Sequence, residues 1–189
     1  MTGNNHSLII RQDVTLTALT LEHAQNMYRW MCDPTVSCNL GLRDTPSLEK
    51  TQNWITSALQ DPLVRAFAIK HNGHHVGNIN LDRIDKYLST ARLSVYIGET
   101  SARHLGVGCT GIYLALREAF FSLDLYKVWL IVHTRNYSAI NVYHKLGFVL
   151  EGILRDEFWL DGQRIDVLYL GLKKIEFEHL VVQYSEESK

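Results

Sequence analysis

Residues 94–148 constrain this chain more than any other stretch. They read strand, loop, glycine turn, long helix, strand, short helix. The glycine turn carries two overlapping patterns. Gly106-x-Gly108-x-x-Gly111 matches the dinucleotide fingerprint, and Arg103-x-x-Gly106-x-Gly108 matches a pattern that wraps a pyrophosphate. Both rest on one physical device. Glycines remove side chains so that backbone N–H groups can approach phosphate oxygens, and a helix N-terminus adds partial positive charge. The surroundings weigh between them. A dinucleotide turn follows its strand almost at once and is succeeded by an acidic residue after the next strand. Here the strand ends near Ile97, eight residues precede Gly106, and residues 128–132 lead into His133 and Thr134. The pyrophosphate reading is therefore preferred, over the dinucleotide site and over a helix start that binds nothing.

A second pattern follows the next strand: Asn136-x-x-Ala139-x-x-x-Tyr143-x-x-x-Gly147-Phe148. Two linked motifs in this order, with a strand between them, resemble the GNAT superfamily of acetyl-CoA-dependent N-acetyltransferases. The resemblance is closest to the branch of ribosomal-protein N-terminal acetyltransferases and spermidine acetyltransferases. It extends over roughly residues 10–175 and includes the run from Asp156 to Gln163. It implies an α/β fold: a mixed, mostly antiparallel sheet of six to seven strands, helices on both faces, and a splayed strand pair that holds acetyl-CoA. It casts Arg103, His104, Leu105, Gly106, Val107, Gly108 and Cys109 as the phosphate turn, with Asn136 on the pantetheine arm. It lends to Ile97 and Gly98, at a bulge ending their strand, the backbone N–H that polarises the thioester oxygen. Tyr143 becomes the general acid for the departing sulfur. The family is often dimeric, so a homodimer is a further expectation.

Acetyl transfer also requires the amine to lose a proton. Many relatives place a glutamate for this just after the alanine opening the fourth strand, but here that position is Arg92. Glu99 is taken as the catalytic carboxylate, with Asp82, His133 or ordered water as alternatives. Arg92 would suit an acceptor bearing phosphate or carboxylate better than a polycation. Its presence also leaves open a non-catalytic acyl-CoA-binding module, beside the nicotinamide-dependent oxidoreductase that the fingerprint alone would suggest.

Composition sets the outer limits. The chain has 189 residues, 46% of them hydrophobic, and reads as one domain with a core near 10–175 and a frayed charged tail. A net charge of −1 argues against a generic nucleic-acid or membrane-surface binder. Three cysteines form no complete disulfide set or zinc pattern, and no signal peptide is evident. A metal-free, cytoplasmic enzyme is the expectation. Along the chain, strands are expected at 14–19, 64–70, 76–81, 91–97, 128–132, 148–153 and 165–172. Helices are expected at 21–31, from 48, at 106–123 and at 138–146. Asn72-Gly73 and Asp161-Gly162 mark hairpin turns. Residues 128–132 read as a strand covered on both faces, and His71, His74 and His75 as a solvated turn.

Overall fold

The computed structural model describes residues 10–187. Among them, seven strands form one sheet: β1 Val14–Ala18, β2 Arg65–His71, β3 His74–Asp85, β4 Thr90–Ile97, β5 Lys127–His133, β6 Val149–Leu160 and β7 Gln163–Lys173. Their order is β1-β2-β3-β4-β5-β7-β6. Only β4 and β5 run parallel; every other neighbouring pair is antiparallel. The helices are α1 Ala24–Met31, α2 Pro34–Ser37, α3 Leu48–Gln60, α4 Val107–Arg117, α5 Tyr137–Lys145 and α6 Lys174–Glu187.

The two hairpin turns form where the residue types demand them. Asn72 and Gly73, then Asp161 and Gly162, all take positive φ, as a tight turn between twisted strands requires. Ser47 caps α3 by accepting from the Lys50 N–H at 3.1 Å. Asp33-Pro34 does not simply end a helix: Asp33 accepts from the Thr35 N–H at 2.9 Å, and Pro34 opens α2.

The sheet separates two apolar layers. On one face, Ile112, Ala115, Leu116 and Phe120 of the α4 segment pack over Ile69, Ile79, Leu93, Val128 and Leu130. On the other, Ala24, Met27 and Ile55 of α1 and α3 cover Leu19 and Ala68. The chain after α4 tightens into a π turn, Glu118–Ser122. The aromatic rings of Phe120 and Phe121 there meet Phe177 at 5.4 and 6.0 Å. Phe177 is fully buried on α6, which runs from Lys174 to Glu187.

One feature positions everything functional. β4 and β5 pair over only three residues: Thr90 with Lys127, Ala91 with Val128, and Arg92 with Trp129. Beyond that they part, β4 running on to Ile97 and β5 to His133. The β5 run is consequently not covered on both faces. Val128 and Leu130 are buried toward α4, while Ile131, on the opposite face, is 44% exposed and lines a cleft.

Candidate active site

The parted strands open into a cleft of about 1300 Å³, larger than a typical small-molecule pocket and roomy enough for two reactants. The α4 start and α5 border one end. The loop over residues 39–47, α3 and Phe158 border the other.

The start of α4 is built to meet an anion. Gly106 takes φ +81° as its N-cap, a conformation that favours glycine. The first-turn amides of Val107, Gly108 and Cys109 have no carbonyl of their own helix to meet. The three fingerprint glycines serve different ends. A side chain at Gly111 would crowd Ile69 at 3.1 Å, so that glycine allows the helix to lie on the sheet. At Gly108 the nearest atom is Ile97 Cγ1 at 3.5 Å, an ordinary contact, and the position lines the cleft. Nothing inside the protein requires glycine there. His104, Leu105, Gly106, Gly108 and Cys109 line the cleft together; Val107 is fully buried and contributes only main chain. Burial pushes the pKa of the Cys109 thiol upward, against the opposing effect of Lys145.

Arg103 lines the cleft beside this turn, with its hydrogen bonds made to the end of β4 and to α2. Its guanidinium donates to the carbonyls of Ile97 at 3.2 Å and Gly98 at 3.3 Å and to Thr35 Oγ1 at 3.1 Å. It braces the end of β4 against α2. The cation lying on the turn is Arg11, which donates to the Leu105 carbonyl at 3.1 Å and is held by Asp13 at 2.9 and 2.6 Å. No local signal in the sequence marks it, because its partner lies 94 residues away.

The bulge ending β4 is present. The amides of Gly98 and Glu99 both donate to the Val76 carbonyl, at 2.9 and 3.0 Å. The Gly98 N–H is thus already engaged, and its glycine has another cause: a methyl group there would overlap the Trp30 indole. Strand amides alternate sides. With Gly98 turned to β3, the Ile97 N–H is directed into the fork. The Gly98 N–H is therefore not free to meet a carbonyl oxygen, whereas the Ile97 N–H lies on the side of β4 away from β3.

Asn136 caps α5, its side-chain oxygen accepting from the Ala139 N–H at 3.2 Å. Tyr143 follows on the inner face of α5, 7% exposed, lining the cleft and meeting Phe148 edge-on at 5.7 Å. Burial pushes its phenol well above the ordinary tyrosine range, so it stays protonated at any physiological pH.

The expected carboxylate is displaced. Glu99 does not line this cleft; it sits beside a separate hollow of about 440 Å³ and pairs with Arg29 at 3.0 Å. The bulge turns it there. Arg92 and Asp82 do line the cleft, locked in a two-point ion pair across β3 and β4 at 2.7 and 2.8 Å. The charge of Arg92 is therefore answered inside the protein rather than offered to an acceptor. His133 ends β5 with its ring 4.7 Å from Phe158, and its Nε2 lies 2.8 Å from Asn39 Oδ1. Burial first, then the nearby Arg135, lowers its pKa.

The histidines of the β2–β3 turn are not all solvated. His74 is exposed, but His75 turns inward between His23 and Trp30, at 4.5 and 4.7 Å. Burial and then His23 hold its pKa down to about 4. Among the described residues, no three His, Cys, Asp or Glu side chains gather as a metal site would require.

Residues 13–149 match the model of the acetyltransferase (GNAT) domain. The chain belongs to that family. Spermidine N(1)-acetyltransferase of Escherichia coli K12 is 31% identical over 131 residues, which is 69% of this chain and 66% of that relative. The Vibrio cholerae enzyme of the same name is 29% identical over 124 residues, 64% of this chain and 70% of its own length. The solved structure of the Vibrio cholerae spermidine N-acetyltransferase in complex with CoA and spermine superposes with a TM-score of 0.83 at 22% identity, over 89% of this chain and 99% of that one. The same enzyme in a dodecameric form gives 0.78 at 23% identity, over 88% and 97%.

Proposed function

We propose that the protein is an N-acetyltransferase that moves an acetyl group from acetyl-CoA to a primary amine within one ternary complex. The observation that carries this is the fork of β4 and β5, with the open amides of α4 at its mouth and Tyr143 lining the same cleft. The diphosphate lies against the amides of Val107, Gly108 and Cys109, with Arg11 beside them. Asn136 and the unpaired edges of β4 and β5 meet the amide-bearing arm, as an added strand would. The Ile97 N–H polarises the thioester carbonyl. As the amine nitrogen bonds to the carbonyl carbon and the C–S bond breaks, Tyr143 gives its proton to the sulfur, whose thiol pKa is about 8.5. Holding both reactants in one cleft supplies much of the rate.

The acceptor belongs to the primary amines: a polyamine as in the named relatives, a protein N-terminus or an amino sugar. The Asp82 carboxylate cancels the Arg92 charge, so a polycation is not repelled at that wall. Release of CoA thiol with spermidine, a free N-terminal peptide and glucosamine tests the reading. Acetyl-CoA binding without thiol release to any amine favours an acyl-CoA-binding module instead. Free Cys32, Cys38 and Cys109 support a reducing, cytoplasmic setting. A homodimer would use the outer edge strand β6, where Val149, Ile153 and Trp159 are more than half exposed.

A further inference from the structure

We infer that the acceptor is a primary amine with a bulky apolar group close to its nitrogen, either a free arylalkylamine or a chain N-terminus that begins with an aromatic residue; the inference rests on the acetyltransferase reading of the cleft. It comes from the end of the cleft away from the glycine turn, bordered by the loop over residues 39–47, α3 and Phe158. Lys50, Thr51 and Trp54 line this end from one side of α3, Trp54 one turn beyond the other two. The loop meets the opposite wall at Gly41, where φ is +59° and a side chain would press on the Phe158 ring at 2.9 Å.

Two large apolar side chains stand open here. Leu42 is 42% exposed and Trp54 41%, and both line the cleft. Single exposed apolar residues are ordinary, but several lining one concavity mark a surface that an apolar ligand covers. The half-buried Met31 and Phe158 extend the same lining. The arm of acetyl-CoA, lying along β4 and β5, covers Ile131. It leaves Leu42 and Trp54, on the loop and on α3, for the acceptor.

Charge argues in the same direction. Among the described residues, Asp44 and Asp82 are the carboxylates that line the cleft. Arg92 holds both oxygens of Asp82. The Asp44 side chain is 82% exposed, so water and salt screen it, and Lys50 stands 3.9 Å away. Arg43 and Lys50 add positive charge at this end. A polyamine would carry several charges to a wall where each carboxylate already has a cation beside it. A monoamine with an apolar body carries one, on the nitrogen that acetylation neutralises, and it covers Leu42 and Trp54.

Release of CoA thiol tests this with phenethylamine, spermidine and two peptides that differ only in an N-terminal Phe or Ser. The kcat/KM for phenethylamine or for the Phe peptide should exceed that for spermidine by about tenfold or more; the better of the two tells whether the amine is free or ends a chain. Spermidine equal to or better than both overturns the inference. So does a Ser peptide as good as the Phe peptide, where peptides are the preferred substrates. Trp54→Ala should raise the KM of the preferred acceptor about tenfold and leave the KM for acetyl-CoA within about twofold; an unchanged acceptor KM overturns it as well. If no amine releases thiol, the acetyltransferase reading is what fails. Calorimetry on the CoA-bound chain then still decides whether this end takes apolar amines: phenethylamine must bind more tightly than spermidine, and the reverse order, or no binding of either, defeats the inference.

Discussion

Single side chains bear on two separate properties, proton supply in the cleft and stability in acid, and each can be tested by removing one atom or changing one charge. Tyr143→Phe keeps the ring that packs on Phe148 and removes the proton donor. It should lower kcat by about 100- to 1000-fold while leaving the calorimetric Kd for acetyl-CoA within twofold; a matching loss of affinity would reassign Tyr143 to binding. The alkaline limb of the rate profile should not come from this phenol below pH 10, because its pKa is raised. His75 tests the opposite sign. Its folded pKa of about 4 lies below the ordinary 6.5, so the unfolded chain binds more protons between those values and stability falls as pH drops through that window. His75→Gln should flatten the loss of Tm between pH 6.5 and 4.5 without abolishing it, since His23 and His133 are lowered as well.

Elements decide where those side chains stand, and the glycines of α4 and β4 divide the work. Gly108→Ala should leave Tm within about 2 °C, because alanine suits a helix and meets only an ordinary contact, yet raise the KM for acetyl-CoA by tenfold or more. Gly98→Ala should do the reverse: overlap with the buried Trp30 costs about 1–3 kcal/mol, which thermal unfolding reads as a drop of several degrees. Much of this framework is legible in the sequence. Asn72-Gly73, Asp161-Gly162, the Ser47 cap and the glycine turn act through neighbours a few residues away. What escaped was long-range. The Arg11 contact with Leu105 and the Asn39 contact with His133 each span 94 residues. The Asp82–Arg92 pair depends on strand register, and the bulge that swings Glu99 out of the cleft depends on the carbonyl of Val76. The contact of Phe177 with the π turn likewise has no local mark.

At the scale of the whole molecule, the sheet is two antiparallel halves joined through three residue pairs and bridged by α4. Hydrogen exchange should report this division. Amides of residues 95–97 and 131–133 should exchange faster than those of the fully paired β2 and β3, and should slow on addition of CoA. Equal protection with and without CoA would contradict the fork as its seat. Copies joined through β6 should separate when Ile153 and Trp159 are both changed to lysine, as read by sedimentation. The narrow seam between the halves has a thermodynamic consequence. A ligand at 100 times its Kd adds about 2.7 kcal/mol to the folded state, a sizeable share of the marginal stability of a domain this large. A ligand seated in the fork would therefore hold the two halves together, and the melting temperature should rise with the concentration of CoA added.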